Sequence, residues 1–67
     1  MIRRIEYSNA GARGEAPTRY AEIDWMDDCM WRVFVRADLR VDTVWRKSLT
    51  SAQSTARQFI QSGRFPR

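Results

Sequence analysis

YAEIDWMDDCMWRVFVRADLRVDTVWRKSL, residues Tyr20–Leu49, decides the fold of this 67-residue chain. When residues are paired so that their numbers sum to 56, Trp25 lies opposite Trp31 and Asp24 lies opposite Arg32. One face of this strand pair is then apolar, and the other carries acid–base pairs. A shift by one residue would place charges opposite apolar side chains, because successive side chains point to opposite faces. The stretch therefore predicts an antiparallel hairpin in this register, with strands over 19–26 and 30–37.

The segment from Val41 to Leu49 predicts a third strand beside the second. If the numbers of paired residues sum to 78, Val33 lies opposite Trp45 on one face, and Phe34 lies opposite Val44 on the other. β-Branched and aromatic residues at alternating positions are typical of strands. The whole of 20–49 is therefore predicted to be a three-stranded antiparallel meander.

This second register also makes two unfavourable pairs. Lys47 falls opposite Trp31 on the apolar face, where its stem can cover the ring while the charge reaches water. Arg32 falls opposite Arg46 on the other face, a repulsive pair unless Asp24 neutralises it. In this register the charge of Arg32 would therefore need an ion pair with Asp24.

A helix is predicted over residues 51–62. Thr50-Ser51-Ala52-Gln53 has the form of a capping box, in which a hydroxyl and a side-chain amide satisfy free backbone groups. Gly63 is the expected stop. The apolar stripe of this helix consists of Ala52, Ala56, Phe59 and Ile60. We expect the stripe to pack on the odd-numbered face of the sheet, which includes Trp25, Trp31, Trp45 and Leu49.

The chain is predicted to be one small α+β domain, because 67 residues are near the lower limit for an independent core. Residues 1–19 comprise an alternating segment, Ile2–Tyr7, and a flexible loop, Ser8–Pro17. Whether Ile2–Tyr7 adds a fourth strand at the sheet edge stays open. Residues 63–67 form a tail. Association into a homodimer is one way for so small a domain to bury more surface.

The composition argues against catalysis and cofactor binding. The chain has no His, and its one Cys, Cys29, has no imidazole to activate it and cannot form an internal disulfide. Asp24, Asp27 and Asp28 lack the spacing of a calcium loop, so no metal site is expected. We expect a non-enzymatic protein without cofactors. No signal peptide or membrane span is expected, and a cytoplasmic location fits.

The charges are unevenly distributed along a chain of net charge +4. From Tyr20 to Met30 there are four acids and no base, whereas from Thr43 onward there are five bases and no acid. The bases are Arg46, Lys47, Arg57, Arg64 and Arg67. The sequence therefore predicts an acidic hairpin and a basic C-terminal end.

Residues 31–63 have a distinctive order of predicted elements. An Arg- and Val-rich strand is followed by a short turn, a strand ending in Arg46-Lys47-Ser48-Leu49, and an Ala-rich helix. This resembles the arm-type DNA-binding domain at the N-terminus of phage and transposon integrases, which is related in fold to the plant AP2 domain. The resemblance implies that the sheet face contacts the DNA major groove.

The resemblance also implies which residues bind DNA. Arg32, Phe34, Arg36, Arg46 and Ser48 would lie on the DNA face, with Arg40 in the turn near phosphate. The first hypothesis is therefore a small nucleic-acid-binding module of phage or mobile-element type. Its candidate contacts are Arg32, Arg36, Arg40, Arg46 and Lys47.

Acids on the same face support a second hypothesis. Glu22 and Asp24 lie on the outer face and would meet phosphate unfavourably. Exposed aromatic residues among charges are typical of protein interfaces. The chain would then be a phage-type inhibitor or adaptor that binds a host protein complex, similar to anti-CRISPR proteins in size and composition. Its candidate contacts are Tyr20, Phe34 and Val44 as apolar anchors, and Asp24, Asp27 and Asp28 as acids that reach a basic partner.

Overall fold

A computed structural model describes residues 3–9, 18–26 and 29–66. The described elements form one open antiparallel sheet, in the order β1-β2-β3-β4, with a C-terminal helix packed on one face. In chain order they are β1 (Arg4–Ser8), β2 (Arg19–Met26), β3 (Met30–Ala37), β4 (Arg40–Arg46) and α1 (Leu49–Ser62). The α+β class and the meander of β2, β3 and β4 are confirmed.

The predicted register of β2 and β3 is confirmed. Trp25 lies opposite Trp31 and Asp24 opposite Arg32, and the two indole rings are 5.3 Å apart between centroids. In the connection, Cys29 has a φ of 64° and its N–H donates to the carbonyl of Met26 at 3.2 Å. Cys29 therefore adopts a left-handed conformation at this hairpin.

The predicted register of β3 and β4 is wrong by one residue. Ala37 pairs with Arg40, so the numbers of paired residues sum to 77 and the connection has two residues, not three. Asp38 takes the left-handed position in this turn, with a φ of 54°, and Asp tolerates that conformation better than most residues. The shorter turn reverses every side chain of β4, because strand residues alternate between faces.

The two unfavourable pairs expected from the other register are therefore absent. Arg46 lies opposite Trp31, and Trp45 lies opposite Arg32. Lys47 follows the end of β4 and is exposed, because β4 stops at Arg46 and not at Leu49 as predicted.

The open question about the N-terminal segment is answered by β1, which pairs with β2 at the sheet edge. Ile5 lies opposite Ile23 and Tyr7 opposite Ala21, so β1 extends the apolar face. Asn9 then ties the two strands together, since its Oδ1 accepts hydrogen bonds from the N–H groups of Thr18 and Arg19. The predicted flexible loop, Ser8–Pro17, lies outside the described residues apart from its first two positions.

The helix begins two residues earlier than predicted. Its N-cap is Ser48, whose Oγ accepts a hydrogen bond from the N–H of Ser51 at 3.1 Å. The expected capping box at 50–53 is therefore wrong. Gly63 ends the helix as predicted, with a φ of 74° and its N–H bonded to the carbonyl of Phe59.

The core lies between α1 and the face of β2 and β3 that carries odd-numbered residues. Ala52 and Ala56 are fully buried, and their small side chains let the helix approach the sheet closely. The other buried apolar residues are Ala21, Ile23, Trp31, Val33, Val35 and Phe59. Arg19 Nη1 donates to the carbonyl of Ile60 at 2.6 Å, so β2 also holds the end of the helix.

Candidate functional site

One face of the sheet points away from α1 and is called the outer face here. Its members follow from the alternation of side chains, since the core residues occupy the opposite face. They are Arg4, Glu6 and Ser8 on β1, Tyr20, Glu22, Asp24 and Met26 on β2, Met30, Arg32, Phe34 and Arg36 on β3, and Val41, Thr43 and Trp45 on β4.

A network of ion pairs covers the β1 side of the outer face. Arg32 Nη2 donates to Asp24 Oδ2 at 2.6 Å and lies 3.4 Å from Glu22 Oε2. Arg4 pairs with Glu22 from the other side and with Glu6 at 3.1 Å. Glu22 is only 9% exposed, and a buried carboxylate needs such partners. The cations therefore serve the acids of the same face.

Tyr20 completes this network. Its hydroxyl lies 2.8 Å from Glu6 Oε1 and 3.0 Å from Glu22 Oε1, so two carboxylates compete for one proton. Burial, followed by the hydrogen bond to Glu6, raises the pKa of Tyr20 to about 12. The hydrogen bonds with Tyr20 and then Glu22 raise the pKa of Arg4. Tyr20 therefore stays protonated over the whole physiological range.

The outer face carries no excess charge within the described residues. Three arginines (Arg4, Arg32 and Arg36) balance three carboxylates (Glu6, Glu22 and Asp24). The Arg36 side chain is exposed, and its guanidinium lies over the ring of Tyr20 at 5.4 Å. A polyanion would therefore meet a neutral surface here.

The exposed large hydrophobic residues among the described parts of the chain lie on or beside β4. Leu39 is 102% exposed, Val41 57%, Trp45 46% and Leu49 37%. We call these four residues the β4 strip. Val41 and Trp45 lie on the outer face, whereas Leu39 and Leu49 flank the strand at its two ends. Clustered exposed apolar side chains mark interaction surfaces more often than scattered ones.

β4 is also an edge strand. The described sheet ends at β4, and none of its described elements pairs with the outer side of that strand. An edge strand presents free backbone donors and acceptors, which natural proteins usually protect with charges, bulges or prolines. On β4 the charged residues Arg40, Asp42 and Arg46 lie on the inner face, and the outer face presents Val41 and Trp45.

The opposite face of β4 carries cations. The Arg40 guanidinium stacks over the ring of Phe65 at 4.1 Å, and Phe65 packs edge-on against Phe59. A cleft between β4 and the residues after α1 is lined by Arg40, Asp42, Gly63, Arg64, Phe65 and Pro66. Arg46 donates from Nε to Thr55 Oγ1 at 3.1 Å. This face is therefore basic at both ends of the strand.

The residues predicted to bind DNA lie on two faces of the sheet. Arg32 and Arg36 lie on the outer face, whereas Arg40 and Arg46 point to the other side because of the register shift. Lys47 lies beyond the strand. Ser48, carried over from the integrase resemblance, is engaged as the helix N-cap. The expectation that Arg32, Arg46 and Ser48 share one face is wrong.

The residues predicted for a protein interface are partly together. Tyr20 and Phe34 are neighbours on the outer face, with ring centroids 6.4 Å apart, and Asp24 lies in the ion-pair network. The prediction that Val44 lies on the interface is wrong, because Val44 lies on the inner face and packs against the core. Asp27 and Asp28 lie outside the described residues.

Sequence reasoning missed Val41 and Trp45 as outer-face residues. The signal that could have revealed them is the segment 37–40, in which Asp38 can occupy the positive-φ position of a two-residue hairpin turn. Testing that shorter turn places both side chains on the outer face.

Three further features of the described residues bear on metal binding, thiol chemistry and membrane insertion. No group of three potential metal-ligating side chains lies together there. Cys29 is exposed and is a free thiol. The one described helix lacks the length and the apolar character that crossing a bilayer requires.

No protein-family model, curated protein or solved structure matches this chain. The function is therefore inferred from the geometry of the outer face and of β4.

Proposed function

We propose that this chain is a protein-interaction module, an inhibitor or adaptor that contacts its partner through the β4 strip and the adjoining outer face. The observation that carries the proposal is the position of the exposed large hydrophobic residues along one edge strand. Trp is among the residues most enriched at the energetic centres of protein interfaces. Trp45 is the proposed anchor.

The charge on the outer face favours a protein partner over a nucleic acid. Arg4 and Arg32 are committed to Glu22 and Asp24 by ion pairs, and nucleic-acid affinity requires cations that neutralise phosphates. Arg36 lies opposite Val41 and is exposed. It therefore adds a polar rim of the kind that surrounds apolar interface centres.

Val41 and Trp45, the two residues of the β4 strip on the outer face, do not alone supply enough affinity for a stable complex. Complete burial of an exposed apolar side chain contributes about 1.5–3 kcal/mol, and Val41 and Trp45 are already half-buried. Together they contribute roughly 3 kcal/mol, whereas a micromolar complex needs about 8 kcal/mol. Further contacts are required. The other two residues of the β4 strip, Phe34, Arg36 and the edge backbone of β4 can provide them.

Site-specific photo-crosslinking tests the proposal. A photoreactive phenylalanine analogue at position 45 is compared with the same analogue at position 57, which is exposed on α1. We expect a discrete crosslinked protein from position 45 and none from position 57. Equal products from both positions would contradict the proposal, because diffuse contact has no preferred surface.

A nucleic-acid-binding function is the second candidate, and a specific observation favours it. Within the described residues from Thr43 to Pro66 there are bases and no acid, and Arg40 and Arg64 line one cleft. A nucleic acid would therefore bind on the side of β4 and the end of α1, away from most of the outer face. This site differs from the one implied by the integrase resemblance.

Fluorescence anisotropy of labelled duplex DNA and single-stranded RNA separates the two candidates. Binding that weakens steeply with salt, and that is lost in Arg64→Glu but kept in Arg36→Glu, would support the second candidate. Absence of binding at low salt would count against it, because a basic site is strongest there.

A further inference from the structure

The backbone of β4 is arranged to accept another strand. A two-residue turn closes on the pair Ala37–Arg40, and hydrogen-bonded pairs alternate with non-hydrogen-bonded pairs along an antiparallel ladder. The N–H and C=O groups of Val41, Thr43 and Trp45 are therefore directed to the edge and away from β3. The same three residues have their side chains on the outer face.

Two of these backbone groups bond to neighbouring side chains. The N–H of Thr43 donates to Asp42 Oδ1 at 2.8 Å. The carbonyl of Trp45 accepts from Arg46 Nη1 at 2.9 Å. An added strand would replace these two local hydrogen bonds.

The side chains of β4 define what a neighbouring strand would meet. On the outer face, Val41 and Trp45 offer apolar surface on either side of Thr43. On the inner face, Arg40 and Arg46 lie at the two ends of the strand, with Asp42 and the core-packed Val44 between them. A neighbouring strand is therefore matched by apolar residues in its interior and by acids at its two ends.

The other sheet edge lacks these properties. β1 directs Arg4 and Glu6 to the outer face, and both belong to the ion-pair network. Its apolar residues, Ile5 and Tyr7, pack against the core. The outer face of β1 therefore offers a neighbouring strand no large apolar side chain, whereas β4 offers Val41 and Trp45. For this reason β4 is the edge suited to a partner.

We propose that the partner contributes an extended segment with an apolar interior and acidic ends, which adds to β4 as a fifth strand of the sheet. The inference rests on the proposed function and names the form of the partner's contact. Backbone hydrogen bonds to Val41, Thr43 and Trp45 supply affinity, and the alternating side chains supply specificity. Trp45 is then covered by the added strand.

A second copy of the chain is a poorer match for the same edge. Antiparallel pairing of two β4 strands about Thr43 places Arg40 opposite Arg46 twice. Like charges directly opposite each other are destabilising, and each copy carries a net charge of +4. An acidic segment removes this repulsion, so a partner of opposite charge is preferred.

A library of random seven-residue peptides displayed on phage provides the probe, since β4 has seven residues. The full chain is the target, and the enriched peptides are then synthesised for titration calorimetry. We expect enriched sequences with apolar interiors and acidic ends. Replacing the end acids by Lys should weaken binding about tenfold, because the cations of β4 would then face like charges.

Two variants at one position separate strand addition from simple apolar contact. Thr43→Pro removes an edge N–H that lies outside the β3–β4 ladder and that donates to Asp42 Oδ1 in the unbound chain, whereas Thr43→Val keeps that donor. We expect Thr43→Pro to bind the peptides about tenfold more weakly, and Thr43→Val to bind like the unchanged chain. Circular dichroism checks that both variants remain folded.

Amide hydrogen exchange of the unchanged chain gives a readout that needs no variant. Strand addition predicts slower exchange at Val41, Thr43 and Trp45 when peptide is bound. The inference is overturned if these amides exchange at the same rate, if no peptide is enriched, or if sedimentation shows that a second copy protects them. Peptide binding that requires Trp45 but leaves these amides unprotected would overturn strand addition and leave the protein-interaction function standing.

Discussion

Arg32 and Trp45 lie opposite each other on β3 and β4, on the face of the sheet that points away from α1. The indole therefore borders the ion-pair network on one side and the free edge of β4 on the other. This relationship divides the outer face into a neutralised polar half and an apolar margin. The margin is the part that we propose for contact with a partner.

Truncation of Trp45 and of Trp31 should have very different effects on folding. Trp31 is 7% exposed and belongs to the core, so Trp31→Ala should lower the free energy of unfolding by about 3–5 kcal/mol. Trp45→Ala should lower it by about 1 kcal/mol or less, because Trp45 packs only in part. Urea denaturation measures both. Equal losses would contradict the register of β3 and β4.

The strained hairpin residue offers a stabilising substitution. Cys29 has a φ of 64°, and a non-glycine residue pays about 1–2 kcal/mol for that conformation. Cys29→Gly should raise the free energy of unfolding by roughly 1 kcal/mol, because Gly adopts positive φ freely. Cys29→Ala is the matched control and should leave stability nearly unchanged. A similar gain from both substitutions would show that the thiol, and not the backbone, is responsible.

Gly63 and Arg19 should be energetically coupled. A Cβ at Gly63 would lie 3.1 Å from Arg19 Nε, and the φ of 74° is unfavourable for Ala. Gly63→Ala should cost about 1–2 kcal/mol. Part of this cost comes from displacing the Arg19 side chain that caps the carbonyl of Ile60. A double-mutant cycle combines Gly63→Ala with Arg19→Met. The stability losses of the two single variants should sum to more than the loss in the double variant. Strict additivity would contradict this contact.

The raised pKa of Tyr20 should make the free energy of unfolding decrease at high pH. Its pKa is raised from about 10 in the unfolded chain to about 12 in the fold. The stabilisation is fully present below pH 10 and is lost as the pH rises toward 12, because the unfolded chain releases the proton first. Thermal unfolding of the unchanged chain and of Tyr20→Phe measures the effect. The phenylalanine variant should show a smaller decline in melting temperature over this range, and parallel declines would contradict the assignment.

The register of β2 and β3 could be predicted because the side-chain pairs on both faces of the strand pair favour the same register. Trp25 and Trp31 meet on the apolar side while Asp24 and Arg32 meet on the other, so a shifted register would be penalised twice. The helix core was predictable for the same reason, since Ala52, Ala56 and Phe59 form one stripe. Its start was not, because Ser48 and Thr50 are both good N-cap residues and only Ser48 follows the end of β4 closely enough.

The register of β4 could not be predicted from hydrophobic pattern, because the pattern and the turn disagree. The burial of apolar side chains alone would place Val41 and Trp45 on the inner face, against the core. The two-residue turn at Asp38 and Leu39 instead directs them outward and leaves Val44 inside. Positions at which local sequence rules conflict are often functional sites. The failed prediction and the proposed interaction site therefore concern the same residues.

Binding of the partner identified by crosslinking, reconstituted from purified proteins and measured by calorimetry, tests the central claim most directly. The unchanged chain is compared with Trp45→Ser on the β4 strip and with Arg57→Glu on the exposed face of α1. The account predicts that Trp45→Ser weakens binding about tenfold or more, since interface anchors of this type dominate affinity, and that Arg57→Glu binds normally. Normal binding by Trp45→Ser together with weakened binding by Arg57→Glu would contradict it and direct attention to the basic end of the molecule.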